Sequence, residues 1–122
     1  MQKMQEISFG QEWSNLLPTN IKKIDNDPLI FHGGTKAGLG LALLNGINDM
    51  KPQFINFNYP VLIMHGGSDK LTNIAGSKAL FAQCESKDKT LKIWEEAFHE
   101  IFNEINRKEI IDYTAQWLEA RM

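Results

Sequence analysis

An uninterrupted apolar run, Val61 to Met64, constrains the fold of this chain more than any other feature of its sequence. The run follows Tyr59-Pro60 and is followed by His65 and the pair Gly66-Gly67. A short continuous apolar run with glycines behind it is typical of a strand that is buried on both faces, as in a parallel sheet. The run therefore predicts an α/β protein, in which helices cover the sheet.

The segments after this strand repeat the same order. A helix is predicted from a cap at Thr72 to about Cys84, and a second strand, TLKIW, over 90–94. Asn106, with Glu109 three positions later, resembles a capping box that begins a final helix. The order strand, helix, strand, helix implies parallel strands joined by a right-handed crossover.

The first part of the chain gives weaker signals. Residues 1–27 are predicted to be irregular, with one short helix near 11–17. Thr35 is expected to cap a helix that ends near Asn48 and has an apolar face. That face consists of Leu39, Leu43, Leu44 and Ile47. Because three glycines weaken this helix, we expect it to pack closely against another element.

Composition excludes several classes of function. The 122 residues are 43% hydrophobic with a net charge of −2, which indicates one folded domain with a real core. No basic block is present, so we expect no nucleic-acid binding and at most a peripheral membrane contact. Cys84 is the single cysteine, which excludes an internal disulfide and favours a reducing compartment such as the cytoplasm. The N-terminus lacks a signal-peptide pattern, and no apolar run has transmembrane length.

Asp69 and His99 are the candidate site residues. Each lies just beyond a predicted strand, and they are 30 residues apart. One strand–helix–strand repeat has about this length, roughly 30 residues. The spacing therefore predicts that both side chains lie at the carboxyl edge of the sheet, where open α/β sheets bind ligands. Gly66 and Gly67 are expected to permit the tight turn that presents Asp69.

A carboxylate beside an imidazole has a specific chemical use. The carboxylate accepts a hydrogen bond from one ring nitrogen, which fixes the tautomer and leaves the other nitrogen as a general base. The alternative is that Asp69 caps the following helix and His99 is a polar residue at the end of a strand. The pattern of residues alone leaves both interpretations open.

Other candidates have simpler interpretations. His99-Glu100 would fit a zinc-protease helix only with a histidine at position 103, where Asn103 stands, so no metal is expected. His65 and His32 are expected to be structural residues, with a place lining the site or on the surface as the alternative for His32. Cys84 and four aromatic residues are expected in the core. These aromatic residues are Trp94, Phe98, Phe102 and Trp117.

Three segments carry a family resemblance: YPVLIMHGGSDKL (59–71), DKTLKIWEEAFHEIFNE (88–104) and NRKEIIDYTAQWLEAR (106–121). Together they resemble the C-terminal part of an α/β-hydrolase of the monoacylglycerol lipase and lysophospholipase group. DPLIFHGGTKAGLGLALLNGI (27–47) resembles the piece of those enzymes that returns from the cap to the core. The resemblance implies a partial α/β-hydrolase fold, with a cap remnant and linking helix over 1–50 and an α/β segment over 51–122.

By this resemblance Asp69 matches the catalytic acid and His99 the catalytic base of the family, whose chain order is Ser, Asp, His. The nucleophile motif G-x-S-x-G and the oxyanion loop are absent. None of the five serines stands in that motif: Ser8, Ser14, Ser68, Ser77 and Ser86. We therefore expect the chain to represent the last part of an enzyme and to be inactive alone. A fragment, a truncated gene product and a natural short protein all fit this pattern.

The function implied by the resemblance is hydrolysis of a carboxylic ester, such as a monoacylglycerol or lysophospholipid, without a metal or cofactor. The expected partners are a small lipid ester, and either the missing N-terminal half or a second copy of the chain. The alternative is a non-catalytic binding or assembly module derived from an α/β-hydrolase, since a partial sheet leaves an unpaired edge.

Overall fold

The computed structural model describes residues 18–31 and 33–122. In chain order the elements are α1 (Pro18–Asp25), α2 (Ala37–Met50), a 3-10 helix (Lys51–Asn56), β1 (Val61–Gly66), α3 (Ile74–Gln83), β2 (Lys89–Trp94), a 3-10 turn (Ile101–Asn103) and α4 (Arg107–Glu119). The predicted order strand, helix, strand, helix is confirmed. The helix predicted near 11–17 lies outside the described residues, as does His32, and α1 was not predicted.

The two strands form one parallel pair. Val61 is paired with Lys89 at the start of the strands and Gly66 with Trp94 at their ends, without a bulge between them. The predicted parallel arrangement is therefore correct. Because both strands run in the same direction, the loops that follow them leave the sheet at the same edge.

Helices α3 and α4 cover opposite faces of this sheet. Ser77 of α3 contacts His65, whereas the Thr114 hydroxyl of α4 donates to Sδ of Met64 at 3.7 Å. Neighbouring side chains of a strand point to opposite faces. The described part is thus three layers deep, with the sheet in the middle, as the apolar run of β1 predicts.

The core lies between the sheet and α4. Its buried members are Trp94, Ala97, Ile101 and Ile110, the last fully buried. Tyr113 of α4 packs edge-on against Trp94, with ring centroids 5.6 Å apart. These contacts hold the loop after β2 against α4.

The helix caps differ from the prediction. Helix α2 begins at Ala37 with Lys36 at the N-cap position, and no side chain caps it. Asn73, not Thr72, caps α3 by accepting from the Ala75 N–H at 2.8 Å. The Thr72 hydroxyl does not act as a cap because it donates to the Asp69 carboxylate.

The capping box predicted at α4 is wrong. Asn106 occupies the N-cap position, but its side chain makes no cap hydrogen bond. Its backbone has φ −91° and ψ 22°, outside the extended region in which a cap side chain reaches the first turn.

The predicted apolar face of α2 is exposed. Leu39, Leu43 and Leu44 are 56–61% exposed, and a Cβ added at Gly38, Gly40 or Gly46 would meet no atom within 4 Å. Strand β1 is likewise only half-buried at most positions. Within the described residues it has one neighbouring strand, β2, which pairs with one of its two edges. Phe102, which was expected in the core, is 46% exposed.

Across the described residues, we find no helix with both the length and the apolar character needed to cross a membrane.

Candidate active site

The candidate site lies where the two strands end. We call residues 67–73, which follow β1, the first loop and residues 95–100, which follow β2, the second loop. Asp69 lies in the first loop and His99 in the second. Since both loops leave the same edge of a parallel pair, the two side chains approach each other from a distance of 30 residues in the sequence.

Hydrogen bonds join the two loops. The Gly67 N–H donates to the Trp94 carbonyl at 2.8 Å, and the Ser68 N–H donates to the Ala97 carbonyl at 3.0 Å. The Ser68 hydroxyl donates to the Glu95 carbonyl at 3.1 Å. The loops therefore form one connected unit rather than two independent segments.

This close approach explains the pair Gly66-Gly67. A Cβ at Gly66 would overlap the carbonyl oxygens of Ala97 and Phe98, and one at Gly67 would lie 2.6 Å from the Glu95 carbonyl oxygen. Neither glycine has a positive φ, since the described residues contain none. The glycines were predicted for a tight turn, but what they provide is space for the second loop.

The Asp69 and His99 side chains are hydrogen-bonded. Nδ1 of His99 lies 2.9 Å from Oδ2 of Asp69. The Asp69 side chain is 3% exposed, whereas that of His99 is 40% exposed. The predicted contact is thus present, with a buried carboxylate and an imidazole that reaches solvent.

Three further donors from its own loop hold the Asp69 carboxylate. Oδ1 accepts the backbone N–H groups of Leu71 at 2.8 Å and Thr72 at 3.0 Å. Oδ2 accepts the Thr72 hydroxyl at 2.6 Å. The alternative interpretation of Asp69 as the helix cap is therefore incorrect, because its backbone hydrogen bonds lie within the turn and Asn73 caps α3.

These contacts also set the charge of Asp69. Burial by itself raises the pKa of this carboxyl, but the hydrogen bonds from Thr72, His99 and the Leu71 N–H act in the opposite direction. The hydrogen bonds together outweigh burial and hold the pKa of Asp69 well below its usual range. Asp69 is therefore an anion at any pH near neutrality.

The lowered pKa of Asp69 predicts a specific acid sensitivity. A carboxyl whose pKa is lower in the folded chain stabilises the fold fully above its unfolded pKa, about 4, and this contribution is lost as pH falls further. The free energy of unfolding should therefore fall more steeply between about pH 4 and pH 2 in the wild type than in Asp69→Asn. Urea unfolding at a series of pH values measures both slopes.

The control for this comparison is Asp49→Asn, which changes an exposed carboxyl on α2. It should keep the wild-type slope. Equal slopes in the wild type and Asp69→Asn would contradict the lowered pKa.

His65 is a contact that sequence reasoning missed. It was expected to be merely structural, yet its Nε2 lies 3.2 Å from Oδ2 of Asp69. The other ring nitrogen, Nδ1, lies 2.7 Å from the Ser77 hydroxyl. The signal available in the sequence was the spacing of four residues between His65, at the end of a strand, and Asp69, in the following turn.

Glu104 was also missed. Its carboxylate is fully buried and accepts the Phe98 N–H at 2.6 Å. Phe98 immediately precedes His99, so this hydrogen bond fixes the backbone of the second loop beside His99. The sequence signal is weak, because a glutamate five residues after a histidine is equally compatible with a solvent-exposed helix turn.

The remaining candidates lie elsewhere. Cys84 is buried, as predicted. The described residues contain no cluster of three or more side chains that could hold a metal ion. One cleft of the described part lies between β2 and α4, lined by residues such as Lys92 and Tyr113, and neither Asp69 nor His99 contributes to it.

The chain matches known proteins over most of its length. A model of the family described as serine aminopeptidase, S33, matches residues 10–106. The monoacylglycerol lipase of Mycolicibacterium smegmatis is 32% identical over 96 residues, which are 79% of this chain and 34% of that protein. The monoglyceride lipase of Rattus norvegicus is 34% identical over 102 residues, which are 81% of this chain and 34% of that protein.

A solved structure shows the same fold. The monoacylglycerol lipase of Paleococcus ferrophilus superposes with a TM-score of 0.86 at 24% identity, over 97% of this chain and 46% of that one. The chain thus spans about one third of the length of the curated relatives, 34% of each of those two. The prediction of a partial α/β-hydrolase fold is confirmed. The chain therefore belongs to the α/β-hydrolase family described as serine aminopeptidase S33, among relatives of the monoacylglycerol lipase type.

Proposed function

We propose that this chain supplies the acid and the base of a serine ester hydrolase, with Asp69 as the acid and His99 as the base. The observation that carries the proposal is the 2.9 Å contact between His99 Nδ1 and Asp69 Oδ2, made across one strand–helix–strand repeat. Family membership supports it, because relatives that share this segment are named lipases.

The geometry suits a base that is fixed on one side and open on the other. Both hydrogen-bond contacts of the His99 ring among the described residues, to Asp69 and Thr72, are made by Nδ1. Nε2 therefore carries the lone pair that accepts a proton. The ionised Asp69 stabilises the imidazolium that forms, and it keeps the ring in the required tautomer.

The reaction has two steps. A serine Oγ attacks the acyl carbon of the ester while its proton passes to Nε2 of His99, and the alcohol leaves with that proton as the C–O bond breaks. Water then attacks the acyl-enzyme, again giving a proton to His99. The carboxylic acid departs and the serine recovers its proton. No step needs a metal or a redox cofactor.

The nucleophile of this scheme comes from a segment outside the 122 residues. Ser68 and Ser77 lie near the site, but neither stands in G-x-S-x-G, and both hydroxyls are engaged, with the Glu95 carbonyl and His65 respectively. The part matched here is 34% of each of these relatives, so about two thirds of their length lies outside it. That remaining part is where we place the serine and the oxyanion loop.

We expect the purified 122-residue chain to show no serine-hydrolase activity. It should release no p-nitrophenol from short-chain p-nitrophenyl esters above the buffer rate, and a fluorophosphonate probe should not label it. The reason is the missing nucleophile turn and oxyanion donors. Covalent labelling of one serine, lost in the corresponding Ser→Ala variant, would contradict this assignment.

We place the substrate among small lipid esters, with a monoacylglycerol or a lysophospholipid as the candidate. The names of the relatives support the first of these. The structure of a soluble variant of the Saccharomyces cerevisiae monoglyceride lipase was solved with a substrate analogue, although at 22% identity it supports only the fold here. Any membrane contact of this chain is proposed to be peripheral.

The exposed apolar surfaces fit a polypeptide partner that carries the rest of the fold. Within the described residues, the outer edge of β1 has no neighbouring strand, and the leucine face of α2 is exposed. A parallel strand can pair with that edge, and the three glycines of α2 allow a close backbone approach. We infer that the segment bearing the serine occupies this surface, whether joined to this chain or separate.

The second candidate is a non-catalytic assembly module, which the same exposed surfaces favour. Sedimentation distinguishes the two. If the chain associates with itself and does not bind a segment that carries the nucleophile, the module is supported. If adding that segment dissociates the self-associated chain and forms a complex with it, the hydrolase is supported.

The division of the chain into a cap remnant and linking helix over 1–50 and an α/β segment over 51–122 remains our proposal. It is supported by the change from helices alone to the parallel pair that begins at β1. A reducing compartment such as the cytoplasm remains a prediction from the single cysteine.

A further inference from the structure

One carboxylate oxygen in this site contacts two imidazoles. Oδ2 of Asp69 lies 2.9 Å from Nδ1 of His99 and 3.2 Å from Nε2 of His65. The His65 side chain is only 10% exposed and lies on β1, whereas His99 lies on the second loop. Asp69 is thus held between a strand residue and the proposed base.

The surroundings of His65 fix its tautomer. Nε2 faces Oδ2 of Asp69 and the carbonyl oxygen of Thr72, the latter at 3.2 Å. Both are acceptors, so Nε2 must carry a hydrogen. Nδ1 lies 2.7 Å from the Ser77 hydroxyl, which can donate to a ring nitrogen that has a lone pair. The neutral ring of His65 is therefore the Nε2–H form.

The ring of His99 has the opposite requirement. Its Nδ1, not its Nε2, faces Asp69, so the neutral ring is the Nδ1–H form. The two histidines therefore face one carboxylate oxygen with opposite ring nitrogens. His99 donates to this oxygen through Nδ1–H, whereas the Nε2–H of His65 donates to the Thr72 carbonyl beside it. This combination of tautomers is diagnostic of the arrangement, because each ring alone could adopt either tautomer.

We propose that His65 is a positioning residue for the acid–base pair. It fixes the first loop through hydrogen bonds from Ser77 to His65 and from His65 Nε2–H to the Thr72 carbonyl. Thr72 in turn donates its hydroxyl to Oδ2 of Asp69, the oxygen that accepts from His99. Leu71 and Thr72 hold both oxygens of Asp69 from within the turn, whereas His65 ties Thr72 to the strand, which is the more rigid element. The catalytic meaning of this contact depends on the proposed function, but the contact itself does not.

The test is nitrogen NMR of the imidazole rings in the full chain labelled with ¹⁵N-histidine. The chain has only three histidines, so His65→Gln and His99→Gln assign the relevant signals. At a pH where the rings are neutral, we expect a protonated Nε2 in His65 and a protonated Nδ1 in His99. A His65 ring with Nδ1–H and a bare Nε2 overturns the proposal, whatever the variants do.

The variants test the coupling between the rings. In His65→Phe, loss of the hydrogen bond that ties the Thr72 carbonyl to β1 should speed exchange of the His99 Nδ1 hydrogen with water by about 3- to 10-fold, the equivalent of one ordinary hydrogen bond. His65→Gln places an amide N–H near the former Nε2 and should restore most of the protection. Ser77→Ala should give an intermediate effect, because it frees the His65 ring to reorient.

A matched control separates positioning from stability. Met64→Ala alters the neighbouring residue, which points to the opposite face of β1 and contacts α4. It should lower the free energy of unfolding without changing the His99 tautomer or its exchange rate in the folded chain. Equal effects of Met64→Ala and Ser77→Ala on His99 would overturn the proposal, even if His65→Phe did not fold. Hydrolase activity enters none of these measurements, so their result is independent of the proposed reaction.

Discussion

Gly66→Ala is expected to lower the free energy of unfolding by about 3 kcal/mol, at the upper end of the cost of overpacking a well-packed site. The added methyl group would overlap the backbone carbonyl oxygens of Ala97 and Phe98. Backbone cannot move aside as the end of a flexible side chain does. A loss of this size is a large part of the 5–15 kcal/mol that stabilises an ordinary domain.

The same substitution should also disturb the proposed site. Phe98 and Ala97 belong to the second loop, so displacing their carbonyls moves His99 away from Asp69. We therefore expect the His99 Nδ1 hydrogen in Gly66→Ala to exchange with water at least as fast as in His65→Phe. Urea unfolding gives the stability, and the imidazole spectrum gives the displacement.

Helix α3 offers a matched control. Gly76 lies inside α3, and a Cβ added there would meet no atom within 4 Å. Gly76→Ala should stabilise the chain by about 0.5–1 kcal/mol, because alanine loses less backbone entropy than glycine in a helix. A Gly66→Ala variant as stable as the wild type, with an unchanged His99 signal, would show that the second loop does not pack against β1 as described.

The features that sequence predicted correctly have local or periodic causes. The apolar run 61–64 and its glycine pair predicted β1, since few other structures bury so short a continuous run. The 30-residue spacing predicted the meeting of Asp69 and His99, because parallel strands joined by one helix end at the same edge. These inferences needed only the order of elements and not their detailed packing.

The features that sequence missed depend on contacts between distant parts. Asn73 rather than Thr72 caps α3 because the Thr72 hydroxyl donates to Asp69. This hydrogen bond depends on the folded turn and is not visible in the sequence. Glu104 is buried because the second loop folds over it, and no pattern within 98–104 indicates burial. The α2 face was predicted to be covered, but within the described residues none of the α2 side chains is buried.

The largest functional effect is expected in a chimera. In it, this chain replaces the matching part of the Rattus norvegicus monoglyceride lipase, to which it is 34% identical over 102 residues. If Asp69 and His99 act as acid and base, the remainder of that enzyme provides the nucleophile and the chimera hydrolyses p-nitrophenyl esters. His99→Gln should then lower kcat/KM by roughly 10³-fold or more, and Asp69→Asn by up to about 10⁴-fold, as in other triads.

Asp112→Asn is the control for charge and for the substitution itself. It removes a carboxylate on the exposed surface of α4 that pairs with Lys108 at 2.6 Å, and such exposed ion pairs contribute little. This variant should retain the activity of the chimera. Circular dichroism and sedimentation establish that each chimera is folded before its rate is compared.

The ratio of kcat/KM between the folded chimera and its His99→Gln variant is the most direct measurement. We predict a ratio of roughly 10³ or greater, with Asp112→Asn unchanged. A folded chimera that loses no activity when His99 becomes glutamine, or that has none to lose, would contradict the assignment of this chain as the acid–base part of an ester hydrolase.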